Sequence, residues 1–405
     1  MRQSAGKETI HSHAVERSLL RRTDAGDVMR RLREHDLASS TELQRTCGMD
    51  RPRLSAALAF LEKKGLIEWV GHGNSKTRPL AGQLRVNAKY GCVIGVDIGG
   101  SNLRIALADM AGTVLAKWAT STKKTSSPGM VVRQIREGVS RLLSDACIPR
   151  SSLLAIAAGA PGVTDRDAGV VLATSYLNGW RDVPLRALLE SALRIPAAVE
   201  NDVRLGAIGE NWRGAARGVR DFVFLAIGTG IAAGILVNGE LVHGVDWTAG
   251  EVGYMLVPGV SNQMVKRGTP GPLESAIGGE GVKGQWLRSG DAKRTAPGRD
   301  VTATEIFDRA RTGDRTSQRI LDRSARMLAY AVYNMSLVLN CSLFVLGGGV
   351  GVSEPLRDAT ERILEQYNEP VRPKLALSRL GQDAQLIGTI RVALGTADAH
   401  IGLDA

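Results

Sequence analysis

CVIGVDIGGSN, residues 92–102, is an apolar run that closes on Asp97, the glycine pair Gly99 and Gly100, and the hydroxyl of Ser101. It predicts a buried strand followed by a tight bend. LRIALAD, 103–109, continues as a second strand, and Met110-Ala111-Gly112 marks the turn into a third. Such a bend presents backbone N–H groups and one hydroxyl to the same point, which suits phosphate oxygens, and a carboxylate beside it can hold Mg²⁺. Taken alone the pattern is weak, because an Asp beside a glycine turn is often turn chemistry and nothing more.

The same logic returns in FVFLAIGTGIAAGILVNG, 222–239, eighteen residues without a charge. That length would suit a membrane helix. Gly228, Thr229, Gly230, Gly234 and Gly239 interrupt it, however, and Asn238-Gly239 is a strong hairpin signal. Two buried strands around a glycine turn are the better reading. A third cluster, Gly347-Gly348-Gly349, follows the apolar run Leu343 to Leu346. Three apolar strands, each ending in a glycine turn, resemble the actin/hexokinase-like ATPases, in which two related halves clamp a nucleotide.

The whole chain has 405 residues, enough for two or three domains, and its 43% hydrophobic and 23% charged content is that of a globular protein. Its formal charge of +11 is unevenly spread. Residues 1–90 hold 17 Lys and Arg against 10 Asp and Glu, whereas the remaining three quarters hold 35 against 31. Composition also shifts near Asn87 to Tyr90, where Gly-, Ala- and Val-rich sequence begins, so a domain boundary is placed there. Cys47, Cys92, Cys147 and Cys341 form no CxxC pair, which argues against a disulfide framework or a zinc finger and fits a reducing cytoplasm. The charged N-terminus lacks the apolar segment of a secretory signal. A soluble, cytoplasmic protein is expected.

The basic N-terminal part has its own pattern. Val28, Met29, Leu32 and His35 follow a helical repeat, and Ser39 to Leu43 offers a capped start to a short helix ending near Cys47. Gly48-Met49-Asp50 is a turn, with Asp50 as cap for a helix over 51–64. That helix has Leu54, Ala57, Leu58 and Leu61 on one stripe and Arg51, Arg53, Ser55 and Lys63 on another face. Gly65 ends it. Strands over 66–70 and 84–86 then flank a turn with His72, Lys76 and Arg78. This order resembles a winged helix-turn-helix. Arg51, Arg53 and Ser55 are candidates for the major groove, and Lys76 and Arg78 for the backbone or minor groove.

Taken in order, DIGGSN (97–102), GAPG (159–162), LNGWRDVPL (177–185), ENDVRLGAIGE (200–210), IGTGIAAGI (227–235), GEVGY (250–254), PLES (272–275) and LGGG (346–349) carry a family-level match. The chain resembles the ROK family of repressors, open reading frames and sugar kinases over nearly all of 15–405. The resemblance implies an α/β, actin/hexokinase-like (ribonuclease H-like) two-lobed body behind an α+β winged helix-turn-helix. An N-terminal segment spans 1–24 and the DNA-binding domain 25–88. The first lobe spans 91–203, with a C-terminal helix of about 388–405 packing back on it, and the second lobe 204–387.

It also implies a sugar cleft between the lobes. Gly162 and Asn178 would line one wall, while Asn201, Asp202, Glu251 and Glu274 would bond the hydroxyls, as carboxylates and amides do with directional strength. In the kinases of the family Asp202 would act as general base. Asp97 with Mg²⁺ and the loops at Gly99, Gly100, Ser101, Gly228, Thr229, Gly230 and Gly348 would neutralise phosphates. Two departures stand out. Tyr254 occupies the place of a usual sugar-contacting histidine, and the family's cysteine segment has become Val265 to Glu274, with Val265, Arg267 and Pro272 in place of thiols. Tetrahedral zinc needs those donors, so no structural zinc is expected.

Fused to a DNA-binding domain, such a body is expected to be a sugar-responsive transcriptional repressor of carbohydrate uptake or catabolism, with operator DNA and a sugar or sugar phosphate as partners. It would act as a homodimer or higher homo-oligomer on paired half-sites, without a membrane partner and without a required cofactor. The alternative is an ATP-dependent sugar kinase, possible because Asp97, Ser101, Gly230 and Asp202 are retained; only that reading needs ATP and Mg²⁺.

Overall fold

A computed structural model of the protein describes residues 22–70, 82–123, 125–260, 269–289, 301–367 and 370–403. It opens in a helix over 22–35, α1, whose Ala25, Val28, Met29 and Leu32 are buried. β1 (Ala38–Ser39), α2 (Ser40–Cys47), α3 (Arg51–Lys63), β2 (Ile67–Val70) and β3 (Gln83–Val86) follow. Ser39 and Glu42 cap α2 reciprocally, Gly48 closes it at φ 63°, and the Asp50 carboxylate accepts the Arg53 amide at 2.9 Å to open α3. Leu54, Ala57, Leu58 and Leu61 bury the inner stripe of α3. The sheet order is β1-β3-β2. The N-terminal part is a winged helix-turn-helix. The two-residue β1, paired Ala38 to Leu84 and Ser39 to Gln83, is a third strand the sequence did not signal. Lys76 and Arg78, at the expected wing tip, lie outside the described residues.

The first lobe is built on β4 (Cys92–Ile98), β5 (Asn102–Asp109) and β6 (Val114–Ser121), then α4 (Pro128–Asp145) and β7 (Leu153–Ala160). A small sheet of β8 (Val163–Asp165), β9 (Val170–Ala173) and β10 (Arg181–Val183) precedes α5 (Leu185–Leu193) and β11 (Ala197–Asn201). The main sheet runs β11-β7-β4-β5-β6. Side chains alternate across it as pleating demands: Ile94, Val96 and Ile98 meet α4 and α5, while Val93 faces the opposite layer.

α6 (Asp202–Arg213) leads into the second lobe: β12 (Phe222–Ile227), β13 (Ile231–Val237), β14 (Glu240–Leu241), α7 (Pro272–Ile277), α8 (Gly279–Arg288), α9 (Ala303–Arg311), α10 (Arg315–Leu339), β15 (Leu343–Gly347), α11 (Gly348–Gly351), α12 (Glu354–Leu364) and β16 (Lys374–Leu377). Its sheet runs β14-β13-β12-β15-β16. Each lobe therefore carries three antiparallel strands extended by two parallel ones, the duplicated actin/hexokinase-like arrangement. Asn238 and Gly239 both take positive φ, the geometry of a two-residue hairpin turn.

The last helix, α13 (Ala384–His400), returns to the first lobe and lies on β4 and β7. Gly95 makes room for it, since a Cβ there would strike the Thr389 hydroxyl. α13 also packs along α6 with backbone against backbone: a Cβ on Gly209 would collide with the Ala384 carbonyl, and one on Gly388 with the Leu205 carbonyl. The far side of α6 meets the second sheet, with Gly206 under the ring of Phe224. Finally, α1 and α13 share one apolar cluster that contains Met29, Leu32, Leu394 and Ala397. The winged helix-turn-helix is thus packed onto the body through the body's last helix.

Candidate functional site

The loops at the carboxyl ends of β4, β7 and β11 face the glycine turn after β12. Asp97 and Asp202 come from the first lobe's ends, Glu251 and Glu274 from the second lobe's loop after β14 and from α7. Asp97 terminates β4 and is buried. Its Oδ2 accepts Nε of Arg104 at 2.9 Å and Nη2 at 2.5 Å. Burial pushes its carboxyl upward and the Arg104 guanidinium opposes that. The turn beyond is tied down on its own lobe. Gly99 N–H donates to the Asn102 carbonyl at 2.8 Å, and the Thr122 hydroxyl donates to the Gly99 carbonyl at 2.7 Å.

Asn201 caps α6. Its Oδ1 accepts the Arg204 amide at 3.0 Å, while its Nδ2 donates to the Gly162 carbonyl at 2.9 Å and to Asp202 Oδ1 at 3.1 Å. Gly162 itself stands at φ 93° against the Ala173 carbonyl, where no other residue would fit. Asp202 Oδ1 also accepts the Val203 amide at 2.8 Å. Burial, the neighbouring Asp97 charge and the Glu251 charge push the Asp202 carboxyl up to about 7, against the Val203 bond. That value places a proton near balance at neutral pH, as a general base or a proton-sensitive ligand requires.

From the second lobe, Gly228 N–H donates to the Gly230 carbonyl at 2.9 Å, and Gly279 N–H holds the Gly228 carbonyl at 2.8 Å. Gly348, at φ 78°, packs against the Ile227 backbone. Glu274 in α7 accepts the Ile231 amide at 3.1 Å, and burial raises its carboxyl as it does that of Glu251. Pro272 opens α7, and Gly271 rests on the Gly253 backbone, so packing orients Glu274. Residues 265–268 of the altered cysteine segment lie outside the described residues. Tyr254 is 40% exposed at the rim.

Asp97, Asp202, Glu251 and Glu274 thus converge, as the motifs suggest. Asn178, by contrast, is exposed, and the side chain that reaches the acids from that loop is Tyr176. Its phenol is pushed up to about 12 by burial and by Glu274, Asp202, Glu251 and Tyr254. Sequence reasoning missed Tyr176 and also Arg104, although an arginine inside an apolar strand was a signal. It missed a supporting network too. Buried Arg204 donates to Glu200 at 3.3 Å and to the carbonyls of Trp247 at 2.6 Å and Ala249 at 3.2 Å. His243 Nε2 lies 2.8 Å from Glu200, and its ring meets Trp247 edge-on. Trp247 is held at φ 60°, an unusual backbone for so large a residue. These contacts fix the loop that ends in Glu251.

In the winged helix-turn-helix Arg51 and Ser55 are exposed on α3. Arg53 reaches back to α1, with Nη2 2.6 Å and Nε 3.1 Å from the Asp24 carboxylate.

A nucleotide with Mg²⁺ does not fit the cleft as it stands. One Asp97 oxygen, Oδ2, already holds the Arg104 guanidinium, and Tyr176 stands between the two glycine turns. Among the described residues no three His, Cys, Asp or Glu side chains are grouped to hold a metal ion.

A family model described as the ROK family matches residues 93–395. The chain is 31% identical over 306 residues to a glucokinase of Halalkalibacterium halodurans, covering 73% of this chain and 92% of that one. It is 24% identical over 399 residues to the xylose repressor of Caldicellulosiruptor bescii, covering 93% and 96%. Among solved structures, a ROK family transcriptional regulator described as a homolog of E. coli MLC matches with a TM-score of 0.80 at 20% identity, over 95% of this chain and 98% of that one. A ROK glucokinase from Streptomyces griseus, in complex with glucose and AMPPNP, matches with 0.63 at 25% identity, over 75% and 99%.

Proposed function

The chain belongs to the ROK family, and on that premise we propose that it is a sugar-responsive, DNA-binding transcriptional repressor of carbohydrate uptake or catabolism. The observation that carries this reading is the winged helix-turn-helix packed onto the body through α13. That helix lies against α6, which begins at Asp202. The likeness to a xylose repressor over 93% of the chain supports it, because that similarity takes in the DNA-binding domain. The glucokinase likeness covers only 73%.

In this reading a monosaccharide or its phosphate sits between the lobes. Asp202, Glu251 and Glu274 accept its hydroxyls, with Asn201 holding Asp202 in place and Gly162, Asn178 and Tyr254 at the margin. Arg51, Arg53 and Ser55 on α3 meet operator bases, and a homodimer spans paired half-sites. No helix among the described residues is long and apolar enough to cross a membrane.

A kinase reading draws on one observation, the Asp202 carboxyl near neutrality. Arg104 on Asp97 and Tyr176 between the turns weigh against it. The test is a gel shift on the protein's own promoter region, titrated with a monosaccharide panel at fixed salt. One sugar should change operator affinity; indifference to the entire panel would sink the effector role. By reciprocity, operator DNA must change the affinity for that sugar by the same factor.

A further inference from the structure

Tyr176 occupies the place where the two glycine turns face each other. On the first lobe, a Cβ built on Gly100 would lie 3.3 Å from the Tyr176 Cβ and 3.5 Å from its carbonyl oxygen. On the second lobe, a Cβ built on Gly230 would collide with the Tyr176 hydroxyl. One side chain therefore spans the gap, entering beside Gly100 and ending against Gly230. Its phenol also lies within the electrostatic field of Asp202, Glu251 and Glu274.

In-line phosphoryl transfer across this cleft would require the terminal phosphate of a nucleotide on the 228–230 turn to meet a sugar hydroxyl beside Asp202. The reacting atoms must approach to about 3–3.5 Å. The glycines of both turns leave space for phosphate oxygens, and here an aromatic ring fills that space. A phenol is neutral at physiological pH, and burial beside several carboxylates pushes it further that way, so it adds no charge to the cleft.

We propose that Tyr176 is a plug that fits the cleft for a sugar while denying it to the terminal phosphate of a nucleoside triphosphate. The sugar half of this statement rests on the function proposed above; the exclusion of nucleotide does not. Tyr176 is the specificity-determining residue, and the glycine turns behind it keep a shape that could still cradle phosphate. Tyr176 as a whole is 37% exposed and belongs to neither lobe's apolar core, so its truncation leaves the cores intact.

The experiment is calorimetric titration of the full-length protein with AMPPNP and Mg²⁺, using wild type, Tyr176→Ala and Tyr176→Phe. Tyr176→Ala should bind the nucleotide at least tenfold more tightly than wild type, and Tyr176→Phe, which keeps the ring, should stay with wild type. Equal affinity in all three proteins, tight or weak, overturns the plug, as does a gain in Tyr176→Phe as large as that in Tyr176→Ala. Tyr176→Asn serves as the truncation if the alanine variant does not fold. A sugar panel run on the same proteins reads the other half: absence of any sugar binder defeats the effector role and leaves the nucleotide comparison to judge Tyr176 alone.

Discussion

Arg33, in the first helix of the winged helix-turn-helix, forms a two-pronged ion pair with Asp398, in the last helix of the body. Nη2 lies 2.9 Å from Oδ1, Nη1 contacts Oδ2, and Nε donates to the Met110 carbonyl at 2.9 Å. Both side chains are buried. Arg217 and Lys64 add bonds to the Glu34 and Ile401 carbonyls across the same junction. Residues far apart in sequence thus join the winged helix-turn-helix to the two-lobed body.

Removing Asp398 leaves Arg33 buried without its partner, facing Arg391, whose own guanidinium burial and the nearby Arg33 and Arg30 hold down to about 10. Asp398→Ala should cost about 3–5 kcal/mol, the usual penalty for orphaning one half of a buried pair. Arg33→Met with Asp398→Leu should recover much of it. Thermal melts of the three proteins check this, and the sugar response of the double variant reports whether the pair also transmits.

Arg53→Ala should weaken operator binding by about 1–3 kcal/mol if its guanidinium reads a guanine. Because Asp24 holds that guanidinium at 2.6 Å, Asp24→Ala should weaken binding as well, by loss of orientation. Fluorescence anisotropy at constant ionic strength checks both, since affinity without a stated salt concentration says little.

Asp202 makes the protein pH-dependent. Its folded carboxyl, at about 7, lies above the ordinary 3.8. The stability tied to its proton is complete below about 3.8 and is lost as pH rises through 7. Asp202→Asn should therefore raise the melting temperature at pH 8, with little effect at pH 4. Sugar affinity should run the other way in wild type, improving from pH 6 to 8 as the carboxylate ionises, and should vanish in the variant at every pH. Melting curves and calorimetry at matched pH values check the two halves.

Arg204→Met should lower sugar affinity while leaving operator affinity intact. The change strips the donors from the Trp247 and Ala249 carbonyls and leaves Glu200 with only His243 and the Asn201 amide. Burial raises the Glu200 carboxyl, but bonds from His243 and the Asn201 amide, with the Arg204 charge, outweigh it and hold it low. Acid should therefore loosen this loop as Glu200 protonates, and limited proteolysis near Trp247 between pH 7 and 4 checks that.

The duplicated lobes were legible because three strands, β4, β12 and β15, are short apolar runs that lead into glycine turns, and the turns and caps at Ser39, Asp50 and Asn238-Gly239 are local chemistry. The converging acids were legible through motif resemblance. What stayed hidden depends on distance in the chain. Arg33 meets Asp398 and Arg53 meets Asp24 only after folding, and an arginine reads the same in sequence whether it is tethered or free. Two-residue β1 is too short for any alternation to register. Tyr176 was passed over because its neighbours Leu177 to Trp180 carried the recognisable motif, while its importance comes from Gly100 and Gly230, one on each lobe.

The glycines at 209 and 388 let the main chains of α6 and α13 touch, with no side-chain cushion between them. Elastic padding is what would let one helix shift while its neighbour stays put. Its absence makes the pair a single stiff rod, with Asp202 at one end of one helix and Asp398 near the end of the other. A single added methyl at either glycine would meet a main-chain carbonyl of the other helix and pry the rod into two.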